Sequence, residues 1–201
     1  MKNNNKLLII IVVVLALFHI FLNLFTSPDY FENIATFLKD LSIIITVIAP
    51  FIVEKVFKIK LSDGFKTLWI IFIFMAHYVG VILGLYDAFI GYDKIVHTVS
   101  GILTAYAAIL IIGNKNLSDK FKFLFVVAFA ALCAVSWEAF EFVCNILVGG
   151  DAQRVLETGV SDTMLDMIVA LLGSICFMGF YLINKKRWKH GGENFRDYWK
   201  K

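Results

Sequence analysis

The segment Ser136-Trp137-Glu138-Ala139-Phe140-Glu141-Phe142 sets two carboxylates three residues apart inside an apolar run over 121–148. A helix brings positions i and i+3 onto one face. The run is long enough to cross a bilayer, which takes about 20 apolar residues. Each acid inside such a helix costs roughly 2.5–3.5 kcal/mol to insert. Acids placed at that cost do chemistry, carry ions, or meet something polar on a neighbouring helix. Candidate partners stand on both sides in the chain. Asp93 and His97 are i, i+4 at the start of the preceding apolar run, and Asp162 and Asp166 are i, i+4 at the start of the following one.

These carboxylates and their imidazole cannot all be ionised together in a low-dielectric pocket. Three outcomes are open. Some acids are protonated and hydrogen-bonded in a structural network, or they pass protons during transport, or one or two divalent cations neutralise them. For a metal, Asp93, His97, Asp162 and Asp166 are the ligands, and Glu138 or Glu141 is the general base. Inward-facing Glu and His on paired helices are how metal sites in bundles are built. Arg154, in the polar segment before the last run, is placed to clamp a phosphate or carboxylate head group. The alternative is an ordinary surface arginine.

Other polar residues suggest less. His77 falls in the middle of an apolar run and suits an interhelical hydrogen bond. Glu54 is expected to pair with a nearby lysine, whereas His19 has no partner visible in the sequence. Cys133, Cys144 and Cys176 form no CxxC pair, lie within apolar runs, and are expected to act as small apolar core residues.

Positioning these groups requires membrane helices. The 201-residue chain is 60% hydrophobic with only two prolines, and its mean hydropathy is +0.79. That composition belongs to a polytopic membrane protein rather than a soluble domain. The apolar runs are 7–25, 34–57, 67–86, 93–112, 121–148 and 162–183. The first is too long for a signal peptide and lacks a small-x-small cleavage site, so it is expected to stay as an anchor. Lys and Arg concentrate in the N-terminus, in 58–66, in 113–122 and in the tail, and are sparse in 26–33, 87–92 and 149–161. The positive-inside rule then predicts an all-α bundle of six transmembrane helices with both termini cytoplasmic. Residues 1–184 form one transmembrane domain, followed by a basic, aromatic cytoplasmic tail over 185–201. The net charge of +3 is distributed as topology demands. It points to membrane lipids as partners and not to nucleic acid.

This topology brings the acids to similar depth. Asp93 and His97 lie at the outer end of the fourth helix. Glu141 lies roughly 10 Å below the outer end of the fifth, with Glu138 about a turn deeper, and Asp166 is about 6 Å into the sixth. Ser100, Gly101, Thr104, Ala105 and Ala108 continue the Asp93/His97 face, and Ala170, Gly173 and Ser174 follow Asp166. Stripes of small residues let membrane helices pack closely.

Tyr92-Asp93-Lys94-Ile95-Val96-His97 resembles the Y-D-x-x-x-H segment of the YjdF-like inner-membrane proteins. Trp137-Glu138-x-x-Glu141 resembles their W-E-x-x-E, Gln153 their loop glutamine, and Asp162 to Asp166 their D-x-x-x-D. The order of these segments is also similar to the wider VanZ-like group, which is linked to glycopeptide resistance and the cell envelope. That group's E-x-x-Q is not intact here, as Asn145 stands four residues after Glu141. The resemblance covers about 92–174. It implies a bacterial cytoplasmic-membrane protein with this fold and site, and supplies no reaction.

Three functions follow as expectations. One is a metal-assisted hydrolase or transferase acting on a lipid-linked or envelope substrate. Another is a proton- or ion-coupled transporter, and the third a non-catalytic envelope protein whose polar cluster fixes helix packing.

Overall fold

The structure, a computed structural model, describes residues 3–26, 34–113, 116–148, 153 and 155–188, with side chains over 7–26, 43–113, 116–147, 153 and 156–184. Among the described residues every regular element is helical. In order they are α1 (Asn3–Thr26), α2 (Ile34–Val56), α3 (Asp63–Ile73) continued by a π-helical segment (Phe74–Ile82), α4 (Leu85–Ala88), α5 (Tyr92–Ile112), α6 (Asp119–Val148), α7 (Val155–Thr158) and α8 (Ser161–Trp188). Five helical stretches among the described residues are long and apolar enough to cross a membrane: Leu7–Thr26, Asp63–Ile82, Tyr92–Ile112, Asp119–Leu147 and Ser161–Asn184. α2 has 23 residues and contains Pro50. The basic segment expected from 185 begins as helix, since α8 runs to Trp188, and 189–201 lie outside the described residues.

The chain forms two compact units, Met1–Ala88 and Phe89–Lys201. In the first, Val12 and Ala16 of α1, Ile43 and Val47 of α2, and Ile70 and Ile73 of α3 make the core. Pro50 has no N–H to give to the carbonyl one turn back, which belongs to Thr46. Trp69 Nε1 on α3 donates to that carbonyl at 2.7 Å. Ser62 caps α3 by accepting from Phe65 N at 3.1 Å, and Asp63 stands in the first turn. Lys66, only 3% exposed, pairs with Glu54 at 2.9 Å, as expected for that glutamate. Glu54 also accepts from Leu61 N at 2.7 Å. His19 does find a partner, Asn23 one turn along α1, at 2.9 Å. His77 falls within the wide π-helical segment. The Tyr86 ring folds back onto Gly80 there, a contact that leaves no room for a Cβ.

In the second unit α5 and α8 run in the same direction. Their starts meet through Lys94, Asp162 and Asp166, and further along Tyr106 stacks on Phe177 with ring centroids 5.4 Å apart. Gly101 lies against the Ala170 carbonyl and Gly173 against the Thr98 carbonyl. The small-residue stripes are thus backbone contacts. Ala105, Ala108, Val126, Ala130, Ala170 and Met178 are buried around them, and α6 packs on both α5 and α8. Gly113 ends α5 at φ +59, where its N–H donates to the Ile109 carbonyl at 3.0 Å. The cysteines are free thiols, but none of them is a core residue. Cys133 and Cys144 are half-buried and Cys176 is exposed on the apolar outside of α8.

Candidate functional site

The stripe Lys94, Thr98, Gly101, Ala105 of α5 recurs at helical spacing and faces α8, whose own stripe is Asp162, Asp166, Ala170, Gly173. The glycine contacts bring the two backbones together, and this fixes the distance between the polar groups one to two turns toward the N-terminal ends. There Lys94 Nζ donates to Asp162 Oδ1 at 2.6 Å, to Asp166 Oδ1 at 2.7 Å and to Asp93 Oδ2 at 3.1 Å. His97 Nε2 is 3.4 Å from Asp93 Oδ1 and 3.8 Å from Asp166 Oδ1. One ligand atom from each of Asp93, His97 and Asp166 lies within 4.8 Å of the others. Asp93 turns one oxygen to His97 and the other to Lys94, so it links the imidazole to the ammonium.

Asp162 joins this group only through Lys94. Its Oδ2 is buried and has no hydrogen-bond partner among the described residues. The two glutamates of α6 have different hydrogen-bond partners but stay close enough for their charges to interact. Glu138 is buried, and Gln153 Nε2 donates to its carbonyl at 3.0 Å and its Oε2 at 3.3 Å. Glu141 accepts from Trp137 Nε1 at 2.7 Å and stands close enough to His97 and Asp93 for their charges to interact. Of the two expected bases, Glu141 is the one whose charge is felt at His97. Arg154 lies outside the described residues.

Three aspartates meet one lysine and one histidine here, and only with all three ionised does the negative charge exceed the positive when His97 is protonated. The carboxylate oxygens and imidazole nitrogen are a donor set that could hold a divalent cation.

A family described as "Predicted membrane protein (DUF2238)" matches residues 6–187. The chain belongs to that family. It is also similar to a Thermotoga maritima protein described as uncharacterized, at 27% identity over 143 residues, which cover 69% of this chain and 71% of the relative. No solved structure matches the chain. Family membership makes the protein an integral membrane protein, in agreement with its apolar helices.

Two members of this cluster are not among the residues that spacing alone singles out. Lys94 stands in the sequence only as a variable position of the Y-D-x-x-x-H resemblance, between Asp93 and His97. The available signal was its place seven residues before Gly101, on the stripe that packs against α8. Gln153 was visible as a loop glutamine, but only folding shows that it reaches back to Glu138.

Proposed function

We propose that the protein is a six-helix protein of the bacterial cytoplasmic membrane with both termini cytoplasmic, and that the α5–α8 cluster is a divalent-cation site near its outer face. The observation behind this reading is the convergence of Asp93, His97 and Asp166 from two helices, with excess negative charge after Lys94 is counted. When bound, the cation polarises a substrate oxygen or activates water. Glu141, beside His97, serves as the base. The chemistry that suits this depth is hydrolysis or group transfer on a lipid-linked envelope substrate, in line with the VanZ-like resemblance. Arg154 is the candidate for holding an anionic head group.

Metal analysis of the purified protein tests this. About one divalent cation per chain is expected, lost on His97→Ala and bound more weakly on Asp166→Asn, since the two unaltered ligands hold such an ion poorly. Absence of metal, together with no uptake when Zn2+ or Mn2+ is added, would overturn it.

A second reading is favoured by Lys94 itself. An ammonium held by three carboxylates neutralises much of the cluster without any metal, as in a proton or ion relay. In that case Asn substitutions at Asp93 and Asp166 leave metal content at zero and change proton uptake in reconstituted vesicles.

A further inference from the structure

The Lys94 ammonium is shared among three carboxylates, and two of them, Asp93 and Asp166, also face His97. A cation on Asp93, His97 and Asp166 would compete with the ammonium for the same Asp166 oxygen. It would also repel it, because like charges about 4 Å apart in a protein interact by several kcal/mol. Both cannot stay where they are.

Asp162 differs from the other two aspartates. Its oxygens lie outside the converging set, and Oδ1 is already bound to Lys94. Oδ2 is buried without a partner in a residue only 9% exposed. A buried acceptor without a donor is unfavourable by about 1–3 kcal/mol. The vacant acceptor lies on the same carboxylate that holds the ammonium most closely, so a small shift of Lys94 could bring an N–H to it.

We propose that Lys94 is a built-in counter-ion that a divalent cation displaces, and that Asp162 receives it. Without the cation, the ammonium bridges all three aspartates and keeps them from repelling one another. When a divalent cation binds Asp93, His97 and Asp166, the ammonium withdraws onto Asp162, and Oδ2 accepts the N–H that Asp166 gives up. Charge selectivity follows. A monovalent ion that replaces an ammonium gains no Coulomb energy, whereas a divalent ion does. This deepens the cation-site reading above and rests on it.

The test uses full-length protein in mild detergent, stripped with chelator and titrated with Mn2+ and with Zn2+ by calorimetry. Lys94→Met should bind at least one of these cations about tenfold more tightly or better, since a repelling charge is gone. Asp162→Asn should bind about tenfold more weakly, because the ammonium loses its receiving carboxylate. In the Lys94→Met background the Asp162→Asn penalty should vanish. K+ at high concentration should not compete beyond ionic-strength screening.

If Lys94→Met binds no more tightly than wild type, or if the Asp162→Asn penalty persists without Lys94, the displacement is refuted while the cation site stands. If wild type and every variant bind neither cation, the site itself fails. Should Lys94→Met fold only when purified with Mn2+ or Zn2+, that dependence supports the proposal. Should it fail to fold with either metal, Asp162→Asn, which keeps Lys94 on Asp93 and Asp166, decides the matter by binding more weakly or equally.

Discussion

Trp69 Nε1 on α3 donates at 2.7 Å to the Thr46 carbonyl on α2, the carbonyl that Pro50 leaves without its helical donor. The hydrogen bond therefore repairs a helix defect and joins two helices at once. Trp69→Phe keeps the ring and removes the donor, and should destabilise the protein by about 1–3 kcal/mol. In a Pro50→Ala background the helix supplies its own N–H, so the same change should cost clearly less. Thermal unfolding of the double-mutant cycle checks this. Equal losses in both backgrounds would show that Trp69 acts only by packing.

Gly101 and Gly173 make the crossing of α5 and α8. A methyl at either would press on a carbonyl of the opposing helix, at Ala170 or Thr98. Gly101→Ala and Gly173→Ala should each lower stability in detergent by about 1–3 kcal/mol or more, because backbone cannot give way as a side chain can. They should also weaken cation binding, since Lys94, Asp162 and Asp166 depend on this crossing for their spacing. Gly179→Ala is the control. Among the described residues nothing beyond its own stretch of helix lies within 4 Å of the added methyl, and it should be neutral or slightly stabilising.

The topology is checked with single cysteines in a background lacking Cys133, Cys144 and Cys176. A label at Asn116 should react only after the membrane is opened, and one at Gly150 should react in intact cells. Asn116 is preferable to Ser118 because Ser118 Oγ accepts from Phe121 N at the start of α6. Reaction at Asn116 in intact cells with Gly150 protected would invert the membrane orientation and place the charge cluster at the inner face.

Much of this was legible in the sequence because hydrophobicity and helical period report on burial directly. The apolar runs became helices with boundaries moved by a few residues. The i, i+4 spacing put Asp93 with His97 on one face of α5, beside the Lys94 stripe, and Asp162 with Asp166 on the stripe of α8 that meets it. What could not be read depends on tertiary pairing. No local rule distinguishes a lysine that marks topology from one that turns inward, and Lys94 meets Asp162 and Asp166 only once Gly101 packs on Ala170 and Gly173 on Thr98. The π-helical segment after Ile73 has the same apolar composition as an α-helix, so hydropathy registers it as an ordinary span. The equal treatment of Glu138 and Glu141 fails for a similar reason. Their i, i+3 spacing is shared, but the Gln153 amide reaches only one of them.

That separation yields the last prediction. Glu138 is buried under Gln153, and Glu141 stands beside His97 and Asp93. Glu141→Gln keeps an oxygen to accept from Trp137 Nε1, so stability should stay within about 0.5 kcal/mol of wild type. It removes a negative charge near the imidazole, so Mn2+ or Zn2+ affinity should fall several-fold. Glu138→Ala should do the reverse. It takes the longer of two acceptors from the buried Gln153 amide, which keeps the Glu138 backbone carbonyl, and should destabilise by about 1 kcal/mol while changing cation affinity less than Glu141→Gln does. Gln153→Ala should cost more, since it also leaves the Glu138 carbonyl without this donor, and the two losses should add only in part, because both break the Nε2–Oε2 contact. Melting curves and cation titrations on the same preparations separate the two roles. A Glu138 variant that folds normally but loses the cation would make Glu138 the site residue and reduce Glu141 to a partner for Trp137.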